Sequence, residues 1–134
     1  MKKTVCVSVM LLLSTSASAT TRNVPSQYST IQAGINAAVS GDTVLVAPGT
    51  YTGVGNRDLS TSGKTLTVMG DFGADSVIID CQGSGYGFNA VSSATVIRGL
   101  TIRAGNLGLN CGSTSPTVSS NRFIDNTTAG VQIA

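Results

Sequence analysis

Six aspartates and five arginines carry most of the ionic chemistry open to this chain, which has no histidine and no glutamate. Hydrolysis of a polysaccharide needs two carboxylates converging on one face, about 5–9.5 Å apart. Asp42 sits at a helix-to-strand turn, Asp71 and Asp75 flank a turn, and Asp58 lies in a polar loop, all positions that favour turn-forming or solvated roles. Asp80 and Asp125 could face outward from strands. The sequence nearly repeats at an offset of 22 residues, and at that offset Asp125 lands over Arg103, so a cross-coil ion pair is expected there. No two aspartates stack at that spacing, and no catalytic set emerges. Arg98, Arg103, Arg122, Asp125 and Tyr86 remain as outer-face binding candidates, each competing with an ordinary solvent-facing role. Asp71 and Asp75 could contribute to a Ca²⁺ site, but two carboxylates are a thin shell for an ion that takes 6–8 oxygens, so no cofactor is expected. Tyr28 and Tyr51 fit packing near a cap better than ligand stacking.

The repeat decides the architecture that must hold these residues. Thr95, Val96, Ile102 and Gly108 reappear as Thr117, Val118, Ile124 and Gly130 at one constant offset. A period in the low twenties, filled with short β-type runs, is the signature of a solenoid whose coils cover one another's apolar faces. The offset predicts that Val96, Ile102 and Leu109 stack on Val118, Ile124 and Val131, with Phe88 in the Leu109 slot one coil earlier. About four coils are expected, built from runs such as Thr43–Ala47, Thr50–Thr52, Lys64–Met69 and Val77–Ile79, with Gly53 to Gly63 as a loop. One helix precedes them: Ser29 and Gln32 fit a capping box, and Ile31, Ile35, Ala38 and Val39 share a face, with Gly41 to stop it. Its expected task is to cover the open end of the first coil.

Composition narrows the partners. Lys2 and Lys3, the apolar run Val5 to Leu13 and Ala17-Ser18-Ala19 form a signal peptide over residues 1–19, with an apolar core too short for a membrane span. The chain is therefore expected to be secreted to the extracellular space or cell surface, with the periplasm as the other destination. Without Lys2 and Lys3, six basic side chains balance six aspartates, so no basic patch argues for nucleic acid and nothing argues for membrane insertion. Cys81 and Cys111 are either two small buried apolar residues or a disulfide. Asn126-Thr127-Thr128 matches a glycosylation acceptor, a weak three-residue pattern. The chain stops at Gln132-Ile133-Ala134 in mid-strand, so missing C-terminal coils or self-association are expected to cover that end.

Residues 24–52, with Thr30-Ile31-Gln32, Gly41-Asp42-Thr43-Val44 and Pro48-Gly49-Thr50-Tyr51, resemble the opening of right-handed parallel β-helix proteins of the pectin-lyase-like superfamily. Residues 115–131, with Asn121, Phe123, Asn126 and Gly130, are similar to that superfamily's repeat, and Val96 to Ile102 also matches. The resemblance implies an all-β, right-handed parallel β-helix of three-sided coils, with aliphatic stacks inside and asparagines at turns. It implies activity on polysaccharides for many members, yet the paired aspartates and histidine segment of the polygalacturonase-like members and the stacked carboxylates of the Ca²⁺-dependent lyases have no counterpart here. The expected organisation is a signal peptide over 1–19, a lead and capping helix over 20–41, and coils over 42–134. The expected function is an exported, non-catalytic module, structural or binding a carbohydrate or cell-surface component. The alternative is the N-terminal part of a polysaccharide lyase or glycoside hydrolase whose catalytic coils lie beyond this sequence.

Overall fold

The computed structural model describes residues 18–133, so residues 1–17 of the expected signal peptide lie outside the described part. In chain order the elements are β1 (Thr21–Val24), α1 (Ile31–Ala37), β2 (Thr43–Val46), β3 (Gly49–Thr52), β4 (Leu59–Ser60), β5 (Thr67–Gly70), β6 (Val77–Asp80), β7 (Tyr86–Ala90), β8 (Val96–Arg98), β9 (Thr101–Arg103), β10 (Leu107–Gly112), β11 (Thr117–Ser119), β12 (Arg122–Ile124) and β13 (Ala129–Ile133). They wind into an all-β parallel β-solenoid of about five turns with a period near 22 residues. One side is the five-stranded sheet β1-β2-β5-β8-β11, and the others are the four-stranded sheets β3-β6-β9-β12 and β4-β7-β10-β13. Every pairing is parallel.

The solenoid and its aliphatic interior follow the sequence reading, but two details of register differ. In the first two sheets the last coils pair at 21 residues, with Ile97 on Val118 and Ile102 on Phe123. Only the third sheet keeps 22, with Leu109 on Val131 and Phe88 on Leu109 at 21. Because side chains alternate across a strand, the one-residue slip changes which residues face inward. Ile97 and Ile102 are fully buried, whereas Val96 and Ile124 are only half-buried. There is also one more turn than the four expected. β1, expected as a lead outside the coils, pairs with β2 along its whole length, and Leu59 in the expected loop is a fully buried strand residue of the third sheet.

Helix α1 has seven residues, too short to persist alone, so packing and end-bonding hold it. Ile31 and Ile35 are fully buried and Ala38 nearly so, the two isoleucines contributing about 1.5–3 kcal/mol each. The N-cap is Thr30, not Ser29: its hydroxyl accepts from the Ala33 N–H at 3.2 Å. Val39 does not join the apolar face and is 53 % exposed. Gln32, freed from a capping box, uses its amide as a strand edge: Oε1 accepts from the Ser60 N–H at 2.9 Å and Nε2 donates to the Ser60 carbonyl at 3.0 Å. The Lys64 ammonium donates to the Ile35 and Ala38 carbonyls, satisfying orphan groups at the helix C-terminus.

Asp42, expected as a turn residue, is the most heavily engaged carboxylate. It is buried, accepts from the backbone N–H groups of Thr20 at 2.9 Å and Val39 at 3.1 Å, and receives both Nε and Nη2 of Arg22. One side chain thus fastens β1, the segment after α1 and the start of β2. Those two backbone hydrogen bonds, with Arg22 adding to them, hold its carboxyl below the ordinary aspartate range.

At the corner between the last two sheets, the strands approach so closely that a Cβ on Gly108 would lie 2.3 Å from Phe123 Cδ1 and 2.5 Å from the Gly130 carbonyl oxygen.

Two measurements test this frame. Asp42 is depressed below its unfolded value near 3.9, so its contribution is fully present above about pH 4 and fades as pH falls through the lower folded value. Chemical denaturation from pH 6 to pH 2 should show Asp42→Asn less stable than wild type at pH 6, with the gap narrowing toward pH 2. A gap independent of pH would dissociate the site from that carboxylate. Gly108→Ala should cost at least about 1–3 kcal/mol by overpacking against Phe123, read from the same denaturation curves.

Candidate functional site

The outward-facing candidates do not converge on one point. Arg103 pairs with Asp80 of the preceding coil, Nε to Oδ2 at 3.0 Å, across the register Asp80 to Arg103. This corrects the expected Asp125–Arg103 pair. The 21-residue spacing of the second sheet sets Ile124 beside Arg103 and leaves Asp125 in the following turn, exposed, with a left-handed φ of 51°. Asp80 also accepts from the Gln82 N–H at 2.9 Å, and that bond, followed by Arg103, lowers its pKa. Arg122 pairs with Asp75, two coils earlier in sequence position but brought alongside by the turn that carries Asp75. Asp75 is exposed beside Arg122, and Asp71 is a half-buried turn residue. Among the described residues, no three His, Cys, Asp or Glu side chains group as metal ligands. Tyr86 is half-buried in β7, its N–H donated to the Asp58 carboxylate at 2.9 Å.

Arg98 differs from the other arginines. Arg22, Arg103 and Arg122 meet carboxylates, and Arg57 donates to the Cys81 carbonyl at 2.9 Å and to Ser84 Oγ. Among the described residues, Arg98 is the arginine whose guanidinium meets no oxygen; its neighbour is Met69 Sδ at 3.4 Å, the residue paired with it across β5 and β8.

Beside Arg98 an open groove of about 290 Å³ runs along the corner between the first and second sheets. Met69, Phe72, Arg98 and Ser120 line it with side chains, while Gly70, Gly73 and Gly99 offer only backbone. The glycines are required: a Cβ on Gly70 would lie 2.0 Å from the Gly99 carbonyl oxygen, and Gly73 and Gly99 have φ of 87° and 69°. Phe72 stands at the tip of the turn between β5 and β6, 82 % exposed, with a left-handed φ of 62°. For a bulky side chain that conformation costs about 1–2 kcal/mol. The turn is nonetheless fixed on both sides. The Asp71 N–H donates to the Val46 carbonyl at 2.8 Å, the Thr101 hydroxyl to the Ala74 carbonyl at 2.7 Å, and Asp75 holds Arg122.

Sequence reading found Arg98 but missed Phe72. The signal was present: an aromatic between Asp71 and Gly73, where turn formers are expected. Two other expectations resolve here. Cys81 and Cys111 are free and buried, and burial pushes the Cys81 thiol up to about 11. Asn126 spends both ends of its amide on the neighbouring turn, accepting from the Gly105 N–H at 3.0 Å and donating to the Ile102 carbonyl at 3.1 Å, as Asn121 does with Leu100 and Ile97. It serves as a structural bracket, the turn role expected for it and for Asn121, and attaching a glycan to its amide would break that bracket.

Compared with protein-family models, with curated proteins and with solved structures, the chain matches none.

Removing the Arg103–Asp80 pair should matter little, because a partly exposed pair contributes about 0–1 kcal/mol. A double-mutant cycle with Arg103→Ala and Asp80→Ala should return a coupling within that range. For the two thiols, reaction with an aromatic disulfide reagent should be slow in the native protein and rapid in denaturant, since the reactive thiolate is suppressed by burial.

Proposed function

We propose that this chain is an exported, non-catalytic β-helix module of the pectin-lyase-like kind that binds a carbohydrate or cell-surface component along its outer faces. The observation that carries the reading is the placement of the six aspartates, four of them engaged by other groups. Asp42 is buried against Arg22, Asp75 and Asp80 are paired with arginines, and Asp58 bonds the Tyr86 backbone. Asp71 and Asp125 sit in different turns, one after β5 and one after β12. The two-carboxylate arrangement that glycosidic hydrolysis requires is therefore not supported by these side chains. What remains is a rigid parallel scaffold whose outward positions repeat at the strand spacing of about 4.8 Å, a geometry suited to holding an extended chain at several points. The sequence resemblance supplies the carbohydrate class, and the open groove beside Phe72 and Arg98 supplies a concave surface for it.

The test is incubation of the 134-residue chain with polygalacturonate and with a neutral glycan, followed by two readings. Ultraviolet absorbance and reducing ends should stay at the level of the protein-free control, and the chain should co-sediment with an insoluble form of at least one glycan. Unsaturated products or new reducing ends would overturn the non-catalytic reading in favour of a lyase or hydrolase. Failure to co-sediment with any glycan or cell-wall preparation would overturn the binding reading.

A further inference from the structure

Phe72 is a large apolar side chain left in solvent at a turn tip, 82 % exposed. Its left-handed backbone is shared by seven other non-glycine residues among those described, Ser120 of the same groove included. The backbone tethers through Asp71 and Ala74 hold this turn to the coils on either side. What distinguishes Phe72 from those other turn residues is an exposed aromatic face beside a groove, a surface suited to a ring-shaped ligand. The neighbouring arginine carries the same message. Arg98 presents a guanidinium with five donors and no oxygen partner, while the other described arginines are all engaged. Between them lies a groove kept clear by glycines, of about 290 Å³, the low end of ligand sites and room for about one sugar ring.

We infer that the corner groove between Phe72 and Arg98 binds one anionic sugar unit of a glycan, the ring stacked on the Phe72 face and its carboxylate or sulfate on the Arg98 guanidinium. The anion follows from the guanidinium, whose planar fork matches a carboxylate or sulfate oxygen pair. The ring follows from the aromatic face, which offers a flat apolar surface to the carbon–hydrogen side of a sugar. Met69 Sδ lies 3.4 Å from the guanidinium, and Ser120 also lines the groove. Because the turn is already tethered, little ordering cost attaches to binding. The assignment rests on the glycan-binding reading and narrows it to one place and one charge class.

Calorimetric titration of the full chain with oligogalacturonate, dextran sulfate and unmodified dextran tests it. Binding is expected to at least one of the two anionic probes and not to neutral dextran, and the two charged probes separate carboxylate from sulfate. Arg98→Ala should weaken binding at least about tenfold, the worth of a charge-assisted hydrogen bond, and Arg98→Lys should recover only part of it. Phe72→Gly is the sharper variant. It should weaken binding several-fold while raising the thermal midpoint, because glycine adopts the left-handed turn without strain. A purely structural Phe72 would instead show a lowered midpoint, and that result would overturn the inference. Glycan binding that survives both substitutions would sink the groove and leave the broader reading standing. Equal binding of neutral dextran would remove the anionic requirement; no binding of any probe would overturn the groove assignment, and the broader reading would then fall only if co-sedimentation with cell-wall material also failed.

Discussion

No single coil of this protein can hold its own apolar side chains away from water, and that constraint governs the structure. A coil is three short strands around a thin interior, so its neighbours must lie in register above and below. Parallel pairing at each of three sheets is what lets Ile97, Ile102 and Leu109 sit over Val118, Phe123 and Val131. The turns are subordinate to this demand. Asn121 and Asn126 occupy them because a side-chain amide can bond the adjoining turn's backbone on both its faces, locking the coil spacing where no strand pairing exists.

The same constraint makes the ends of the stack the difficult places, since an end coil has one uncovered face and three unpaired edges. At the helix end the protein answers group by group. Isoleucines of α1 cover the interior, the Gln32 amide substitutes for a missing strand against Ser60, Lys64 takes the helix-terminal carbonyls, and Asp42 binds the pieces together. Each polar group that burial strips of water thus finds a protein partner, and no buried side-chain nitrogen or oxygen among the described residues lacks one. At the other end of the described structure, Val131 and Ile133 are 37 % and 77 % exposed.

A scaffold this determined by packing leaves its freedom on the outside. Outward strand positions and turn tips can change without disturbing the interior stacks, so departures from low-cost local structure there are informative. Some of the outer charges satisfy one another, as Asp80 and Arg103 do across neighbouring coils and Asp75 and Arg122 do at the next turn corner. The turn bearing Phe72 and the adjacent Arg98 put an exposed aromatic and a guanidinium without an oxygen partner beside one groove, and the turn is held by bonds to the coils on either side.

Sequence alone determined the solenoid, its approximate period, the parallel coils and the one short helix near the start, because repetition is written in residue order and each repeat must bury the same face. It also identified Asn121 and Asn126 as turn residues. It could not fix the register. A constant offset of 22 fits the recurrence of Thr95, Val96, Ile102 and Gly108, yet the last coils of the first two sheets pair at 21, since a turn can absorb one residue without changing the sequence pattern visibly. That slip decided which residue Arg103 meets, and so moved the ion pair from Asp125 to Asp80. The roles of Asp42, Gln32 and Lys64 were likewise invisible, because their partners lie 20 or more residues away and come together only when β1, α1 and the first coils close on one another. The groove at Phe72 and Arg98 belongs to the tertiary structure alone: its walls come from three successive coils, adjacent in space through stacking and not through sequence.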